Sequence, residues 1–341
     1  GQGGTTSAPF SSGENNTAVG YQALTAFTTG YQNVALGHEA GSNMTTGLRN
    51  IAIGYQAKAG SVGYDNIVLG KGAGAGFSSG YKNIVMGNQA AAGHNGIENV
   101  VIGHQANGAG STGVDKTIII GYQAAYNINS ADADGTVAIG YKAGISITSG
   151  QSNTAIGYEA GKNQSTADSN TFVGYQSGRQ TTGNNNTALG KYTMYEGAGA
   201  DGNTAIGTNA LQNNTADNNT ALGYNALTAA TTGGSNVAVG NAAGATMTGT
   251  SNTVLIGRNA GTAINSTDAD GTVAIGYLAA KAITDGQYNT AIGWNALTSN
   301  KRNDHNTAVG YRALTAYSGS AAGTGGNTAV GSWCGDSLQT G

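Results

Sequence analysis

A short, mostly apolar triplet followed by glycine recurs along the whole chain. The phrase "NNTAVGYQAL" at residues 15–24 returns as "NTAIGYEAG" at 153–161, "NTALGYNAL" at 219–227 and "NTAVGYRAL" at 306–314. The glycine of each copy is here called the anchor glycine, and successive anchors are about 17 residues apart. The nineteen anchors are Gly20, Gly37, Gly54, Gly70, Gly87, Gly103, Gly121, Gly140, Gly157, Gly174, Gly190, Gly207, Gly223, Gly240, Gly257, Gly276, Gly293, Gly310 and Gly331. The sequence is therefore a repeat array.

The three residues before each anchor glycine predict a β-strand. The first is Thr, Val or Ile in all nineteen copies, and the third is Val, Leu, Ile or Met. These residue types favour strands, and positions two apart share one face, which we predict to be buried. The middle residue points to the other face and is Ala in thirteen copies, otherwise Val, Ile, Leu or Phe. Both faces of the strand are thus predicted to be shielded from water.

The residues around each strand predict how one coil packs on the next. The anchor glycine permits a turn with positive φ and a close approach of a neighbouring backbone. Asn precedes the strand in fifteen copies and Thr in the other four, which suits a ladder of stacked amide side chains. Three residues after the anchor stands Ala in sixteen copies, and Ser177, Thr193 or Cys334 in the rest. We read Cys334 as an occupant of this small-residue column, and a single cysteine excludes an internal disulfide.

These columns predict an all-β fold. We expect a parallel β-solenoid, or β-roll, of about 19 coils, each with two short strands and two turns. The solenoid is predicted to run continuously over residues 14–341 after a lead-in segment at 1–13. Length variation between coils falls in the connecting loops, where insertions are tolerated.

Composition narrows the function classes. The chain holds 59 glycines, one proline and only 9% charged residues, which is unlike an ordinary enzyme. A net charge of −3 provides no basic footprint for nucleic acid. No apolar run reaches the length needed to span a membrane, so membrane insertion is not expected.

A strand that is apolar on both faces indicates self-association. In a lone solenoid the outward face of the strand should be polar. Here both columns are apolar, and covering the second face with copies of the same chain resolves this. The pattern favours a closed homo-oligomer, although it does not fix the number of subunits.

The repeat unit resembles that of known fibre proteins. "GTVAIGYKAG" at 135–144 and "GTVAIGYLAA" at 271–280 are similar to the head repeat of trimeric autotransporter adhesins, and also to repeats of phage tail-fibre and related bacterial fibre proteins. The resemblance covers roughly residues 14–341. It implies a left-handed, trimeric β-roll in an extracellular fibre, whereas the period of about 17 residues is longer than is usual in adhesin heads.

Candidate chemistry is sparse. "GKGAGAG" at 70–76 resembles a phosphate-binding loop only superficially, because no helix signal follows it. The "DADG" segments place alternate carboxylates as calcium loops do, at Asp132 and Asp134 and again at Asp268 and Asp270. We favour a turn at these segments and keep calcium as a weak alternative, with no other metal or cofactor expected. No Ser/His/Asp set or pair of acids stands outside the repeat register, so catalysis is not expected.

The residue after the anchor glycine forms a mostly aromatic column. Two of the four histidines (His38, His94, His104 and His305) fall in it, which favours an aromatic ladder over a metal site at His38 or His104. The ladder is also a candidate surface for stacking on sugar rings. Its candidate recognition residues are Tyr21, Tyr55, Tyr122, Tyr141, Tyr158, Tyr175, Tyr224, Tyr277, Trp294 and Tyr311.

Together these features predict a structural or adhesive fibre protein outside the cell, or at a cell or virion surface. Its repeats would supply rigidity and many weak contacts, including contacts to a cell-surface or glycan receptor. Two alternatives remain open: a subunit that stacks end to end into a filament, and a glycan-binding tail-fibre module. A flat ice-binding face is less favoured, because the Thr residues share columns that we predict to be buried.

Overall fold

The computed structural model describes residues 13–93, 95–109, 113–317 and 325–338. The chain divides into two compact units, Gly1–Asn170 and Thr171–Gly341. Each unit is a parallel β-solenoid of stacked coils, and no α-helix occurs within the described ranges. The predicted all-β solenoid fold is therefore confirmed.

Every strand is the predicted triplet. The first unit contains β1 (Thr17–Val19), β2 (Val34–Leu36), β3 (Ile51–Ile53), β4 (Ile67–Leu69), β5 (Ile84–Met86), β6 (Val100–Ile102), β7 (Ile118–Ile120), β8 (Val137–Ile139) and β9 (Thr154–Ile156). The second contains β10 (Thr171–Val173), β11 (Thr187–Leu189), β12 (Thr204–Ile206), β13 (Thr220–Leu222), β14 (Val237–Val239), β15 (Val254–Ile256), β16 (Val273–Ile275), β17 (Thr290–Ile292), β18 (Thr307–Val309) and β19 (Thr328–Val330). Within each unit, consecutive strands pair in parallel with equivalent positions opposite each other, for example Ala52 with Val68.

Within the described ranges each coil has one strand, so the expectation of two strands per coil is wrong. The rest of the coil is turn, apart from single 3₁₀ turns at Ala131–Ala133 and Thr267–Ala269. The turns depend on left-handed residues at fixed places: Gln56, two residues after its anchor, has φ 53°, and Asp65, five residues before the next anchor, has φ 58°. Their amides still bond to the preceding coil, as in Gln56 N to the His38 oxygen at 2.9 Å. Coil-to-coil bonding thus continues through the turns without a second strand.

The middle residue of each strand, and not its neighbours, faces the interior. Val68, Ile119 and Phe172 are fully buried. The first and third residues are half-buried or exposed, with Val19 55% and Leu36 45% accessible. The prediction that the first and third columns are buried is therefore wrong for the single chain. The middle column is mostly alanine, which suits a narrow interior, and the branched side chains of the first and third columns lie on the outside of the coil.

The anchor glycine is required by both conformation and space. Its φ is +130° at Gly54 and +123° at Gly207, a region that side-chain-bearing residues rarely adopt. A Cβ added at Gly54 would lie 2.8 Å from the carbonyl oxygen of Gly70, and one at Gly207 would lie 2.6 Å from that of Gly223. The predicted close approach of one coil to the next is confirmed.

The predicted asparagine ladder is also present. The Asn50 side chain is fully buried, and its Oδ1 accepts from the backbone N and the Nδ2 of Asn66 at 3.0 and 3.1 Å. Its Nδ2 donates to Asn33 Oδ1 at 3.2 Å and to the Gly63 oxygen at 2.8 Å. The same pattern joins Asn186 to Asn203 in the second unit. In these rungs the buried amide of each coil is thereby paired with that of the next coil.

Two core positions of a coil compensate for each other in side-chain size. Gly144 makes room for Ile147, since a Cβ at Gly144 would lie 2.7 Å from Ile147 Cδ1. In another coil the equivalent positions hold Leu227 and Ala230, both buried. Leu227 adopts the same left-handed backbone as Gly144, with φ 49° against 56°. The fourth and seventh residues after the anchor therefore fill one shared space.

Removing one rung of the asparagine ladder should destabilise the fold. Asn50→Ala leaves the buried Asn66 amide without its acceptor, which costs about 1–3 kcal/mol. Asn50→Thr should cost less, because Thr253 at an equivalent position donates to Asn236 Oδ1 at 2.7 Å. The measurement is chemical denaturation followed by circular dichroism. Asn88→Ala, at an exposed position, is the control, and equal losses for Asn50→Ala and Asn88→Ala would contradict the ladder's role.

If Gly144 and Ile147 share one space in the core, the effects of substitutions at these two positions on the free energy of unfolding should depend on each other. Gly144→Leu overpacks the coil and Ile147→Ala leaves a cavity, each at a cost of about 1–4 kcal/mol. The double variant reproduces the Leu227 and Ala230 arrangement. Its loss of unfolding free energy should therefore be smaller than the sum of the losses in the two single variants. Strictly additive losses in thermal or chemical unfolding would show that the two positions do not share space.

Candidate functional site

The first and third residues of all strands form an uncharged outer strand face. In the first unit the first residue is Val or Ile except at Thr17 and Thr154, and the third is aliphatic or Met throughout. In the second unit the first residue is mostly Thr, and the third is again aliphatic. Ile84, Met86 and Ile118 are 38%, 38% and 40% accessible. A strip of partly exposed aliphatic side chains therefore lies across the sheet of each unit, accompanied in the second unit by a row that is mostly threonine.

The threonines of the outer strand face are accessible to varying degrees. Thr17, Thr171, Thr187 and Thr328 are exposed and the others are half-buried. The predicted burial, which was the reason to disfavour an ice-binding face, is therefore wrong. The threonine row of the second unit is nevertheless interrupted by Val237, Val254 and Val273.

The residue after each anchor glycine forms the aromatic row, which in the first unit is a set of face-to-face stacks. His38 lies between Tyr21 and Tyr55, with ring centroids 5.0 Å apart on both sides. His104, Tyr122, Tyr141 and Tyr158 form a second stack with spacings of 5.3, 5.3 and 5.0 Å. Within these stacks the rings cover each other's faces, so mainly their edges are presented to solvent.

In the second unit the aromatic row has one long stack. Tyr277, Trp294 and Tyr311 stack at 5.7 and 5.0 Å, and Trp333 meets Tyr311 edge-on at 5.5 Å. Tyr175 meets Tyr192 edge-on at 5.4 Å. The predicted aromatic ladder is confirmed for these stretches of the described chain.

Cations lie against some of the rings next to interruptions of the aromatic row. Lys71 Nζ lies 6.0 Å from the ring centroid of Tyr55, and Lys191 Nζ lies 5.8 Å from that of Tyr175. The Arg258 guanidinium carbon lies 5.9 Å from the centroid of Tyr277. Tyr224 is different, because no ring or cation stacks on it within the described ranges, and its side chain is exposed. Of the ten candidate recognition residues, Tyr224 alone has neither kind of ring partner.

The "DADG" segments are turns in which carboxylates accept backbone hydrogen bonds. Ser130 caps the 3₁₀ turn by accepting from Asp132 N, and Ser266 accepts from Asp268 N. Asp134 Oδ1 accepts from Asp115 N, and Asp270 Oδ1 from Ser251 N, both at 2.7 Å. No group of three His, Cys, Asp or Glu side chains gathers in the part of the chain that the structure describes. The arrangement supports the turn interpretation of these segments.

An aspartate column six residues before the anchor glycine escaped the sequence analysis. Each member accepts a hydrogen bond from the equivalent backbone amide of the preceding coil, as Asp168 does from Gln151 N at 2.8 Å. Its members are Asp115, Asp134, Asp168, Asp201, Asp217, Asp270 and Asp304. Extending the columns to this position would have shown it. The carboxylates join coils and therefore have a structural use.

The remaining candidates have local structural roles. Gly72 and Gly74 of "GKGAGAG" take φ 62° and 61° in a solenoid turn, with no helix after them. His305 lies 5.3 Å from Tyr288 in a tilted pair, and Cys334 is a free, exposed thiol. His94 and residues 1–12 of the lead-in lie outside the described residues. Among the described residues, no helix is long and apolar enough to cross a membrane.

A charged row that we did not predict lies five residues before the anchors. Arg49 Nε and Nη2 donate to the two carboxylate oxygens of Asp65 at 2.6 and 3.0 Å, and Lys82 pairs with Glu98 at 3.5 Å. The hydrogen bonds and charge of the Arg49 guanidinium hold the pKa of Asp65 below its usual value. These pairs are solvent-exposed, so each contributes little to stability.

Comparison with known proteins assigns no family to the chain. No family model matches it. No curated protein matches it either. Function must therefore be argued from the outer strand face and the aromatic row.

The Arg49–Asp65 pair should be visible by titration. Arg49→Gln should raise the pKa of Asp65 towards its ordinary value, because the guanidinium no longer stabilises the carboxylate. A depressed carboxyl pKa adds stability above the unfolded-state pKa, and this stability is lost as pH falls through the folded-state pKa. Titration followed by carboxyl-carbon NMR measures the pKa of Asp65. In the wild-type chain the lowering of this pKa should be smaller at high salt, because salt screens the charge of Arg49. An unchanged Asp65 pKa in the variant would contradict the pairing.

Proposed function

We propose that this chain is a structural repeat protein of an extracellular fibre or adhesin, in which copies of the chain associate through the outer strand face. One observation carries the proposal: a partly exposed, uncharged face of aliphatic residues and threonine is repeated in all nineteen strands. In all nineteen strands, neither outer column contains a charged residue. A surface that stays in contact with water normally includes charged residues, whereas a contiguous apolar surface marks an interaction site.

The extent of the outer strand face supports self-association. Nine strands at a spacing of about 4.8 Å make this face about 43 Å long in the first unit, and ten strands make it about 48 Å long in the second unit. Each unit therefore presents an extended surface along which another copy of the chain can make the same contact many times.

A second copy of the chain suits this surface best. Its side chains recur with the spacing of parallel strands, about 4.8 Å. A partner that interdigitates along many coils needs the same spacing, and another copy provides it. A trimer is the state implied by the resemblance to adhesin and tail-fibre repeats, and location outside the cell or on a virion rests on the same resemblance.

In this function the repeats make the solenoid stiff and provide many copies of the same surface groups. The asparagine ladder, the aspartate column and the parallel strands join neighbouring coils at several points of each turn. Surface groups repeated from coil to coil present many weak contacts, which together bind more strongly than any one of them. The proposal assigns the chain no catalytic step.

Analytical ultracentrifugation and light scattering test the proposal. The wild-type chain should sediment as a closed oligomer, with three copies as the expected number. Ile84→Lys or Ile118→Lys should shift it towards monomer, because a charge would be buried in the interface. The fold of the single chain should persist, since both side chains are partly exposed in it.

Ala198→Lys is the matched control. Ala198 is exposed in a connecting turn, outside the outer strand face, so this lysine should leave the oligomer intact. A wild-type chain that stays monomeric at every concentration would overturn the proposal. Loss of oligomer in all three lysine variants would show that the outer strand face is not the interface.

A further inference from the structure

The aromatic row changes character over five coils of the second unit. Between the Tyr175 contacts and the Tyr277 stack, it reads Lys191, Thr208, Tyr224, Asn241 and Arg258. Elsewhere the row consists mainly of stacked rings. Here a single tyrosine stands between two short polar side chains, with a cation beyond each of them.

Tyr224 has ring faces that no aromatic or cationic group covers. It is 53% accessible, compared with 40% for the stacked Tyr141. Its neighbours in the row, Thr208 and Asn241, are too short to cover an aromatic ring. Among the described residues of the second unit, it is the aromatic of this row best able to stack on a ligand.

Hydrogen-bonding groups surround this ring. Asn209 and Asn225 lie beside the row and are joined through Asn209 Nδ2 and Asn225 Oδ1 at 2.9 Å. Asn225 Nδ2 and Asn209 Oδ1 are outside that bond. The Asn241 side chain is exposed one coil further on. Amide and hydroxyl groups therefore lie about 5 Å to either side of Tyr224, one strand spacing away.

The two cations complete the site. Lys191 and Arg258 are each two coils from Tyr224, or about 10 Å along the stacking direction. They now lie against other rings: Lys191 is 4.9 Å from the Tyr192 centroid, and Arg258 is against Tyr277. Both side chains are long and flexible, and exposed cation–π contacts are weak, about 0.5–1 kcal/mol. An anion near Tyr224 can therefore recruit either cation at small cost.

We propose that this stretch binds an acidic saccharide, with one sugar ring stacked on Tyr224 and its carboxylates paired with Lys191 or Arg258. The apolar C–H face of a pyranose suits an uncovered aromatic ring, and its hydroxyls suit the neighbouring amides. The carboxylate gains charge-assisted hydrogen bonds from the cations. This inference rests on the proposed function, because it names the receptor chemistry of a surface fibre.

The stacked parts of the aromatic row are less suited to this role. Tyr122 and Tyr141 already cover each other, so a sugar would have to separate rings that are 5.3 Å apart. In the first unit, the corresponding break at Lys71 and Asn88 contains no free ring. The site is thus specific to the coils around β13.

The full-length chain should be titrated with a galacturonic acid oligosaccharide and with its methyl ester, using NMR and calorimetry. Wild-type protein should bind the acid, with shifts at Tyr224 and the neighbouring amides. Tyr224→Ala should weaken binding at least tenfold, whereas Tyr224→Trp should retain it, because Trp294 occupies the same column elsewhere. Lys191→Gln combined with Arg258→Gln should weaken binding of the acid but leave that of the ester nearly unchanged.

Tyr288→Ala is the matched control. Tyr288 is an equally exposed tyrosine of the second unit that lies outside the aromatic row, and its loss should leave affinity unchanged. No binding by wild-type protein, or equal binding by wild type and Tyr224→Ala, would overturn the inference. Acid and ester bound equally well by the wild type would overturn the role of the cations.

Sedimentation of the same samples separates this inference from the proposed function. An intact oligomer that does not bind the saccharide contradicts only the saccharide site. A monomer contradicts the proposed function, whatever its binding. Circular dichroism of Tyr224→Ala should match that of the wild type, because this exposed ring packs against no other ring.

Discussion

The close approach of successive coils at the anchor glycine is the constraint on which the structure depends. At Gly54 a single added carbon would lie 2.8 Å from the backbone of the next coil. Coils can come this close only if each repeats the shape of the last. The asparagine ladder, the left-handed turn residues and the narrow alanine-rich interior all follow from that requirement, because each occupies the same place in every coil.

Because the coils stack in register, a residue type that recurs at one position of the repeat forms a column on the surface. Tyrosine after the anchor glycine becomes a ladder of rings, and aspartate six residues before it becomes a series of links between coils. A valine or isoleucine at the ends of the strand becomes an aliphatic strip. Departures from a column then stand out, as Tyr224 does between Thr208 and Asn241. In such a fold, specific recognition is expected where a column is interrupted.

The interior tolerates variation by sharing space between positions. Ile147 extends into the room left by Gly144, and Leu227 fills the equivalent space beside Ala230. Phe172 is accommodated in a third way, because Gly178 lies against its ring. Loops change length freely outside this packing, whereas the strand triplets keep their register. The array can thus diverge without losing the contacts that join its coils.

The sequence by itself determined the strand positions, the parallel stacking, the anchor glycine and the asparagine ladder. Each depends on a residue type repeated at a fixed spacing, and spacing can be read along a chain. Tertiary structure alone decided which face of Val68 and its neighbours is interior, and that one strand per coil suffices. It also decided which rings of the aromatic row cover each other. These features depend on the width of the coil and the curvature of its left-handed turns, which are set only when all parts of a coil close on one another.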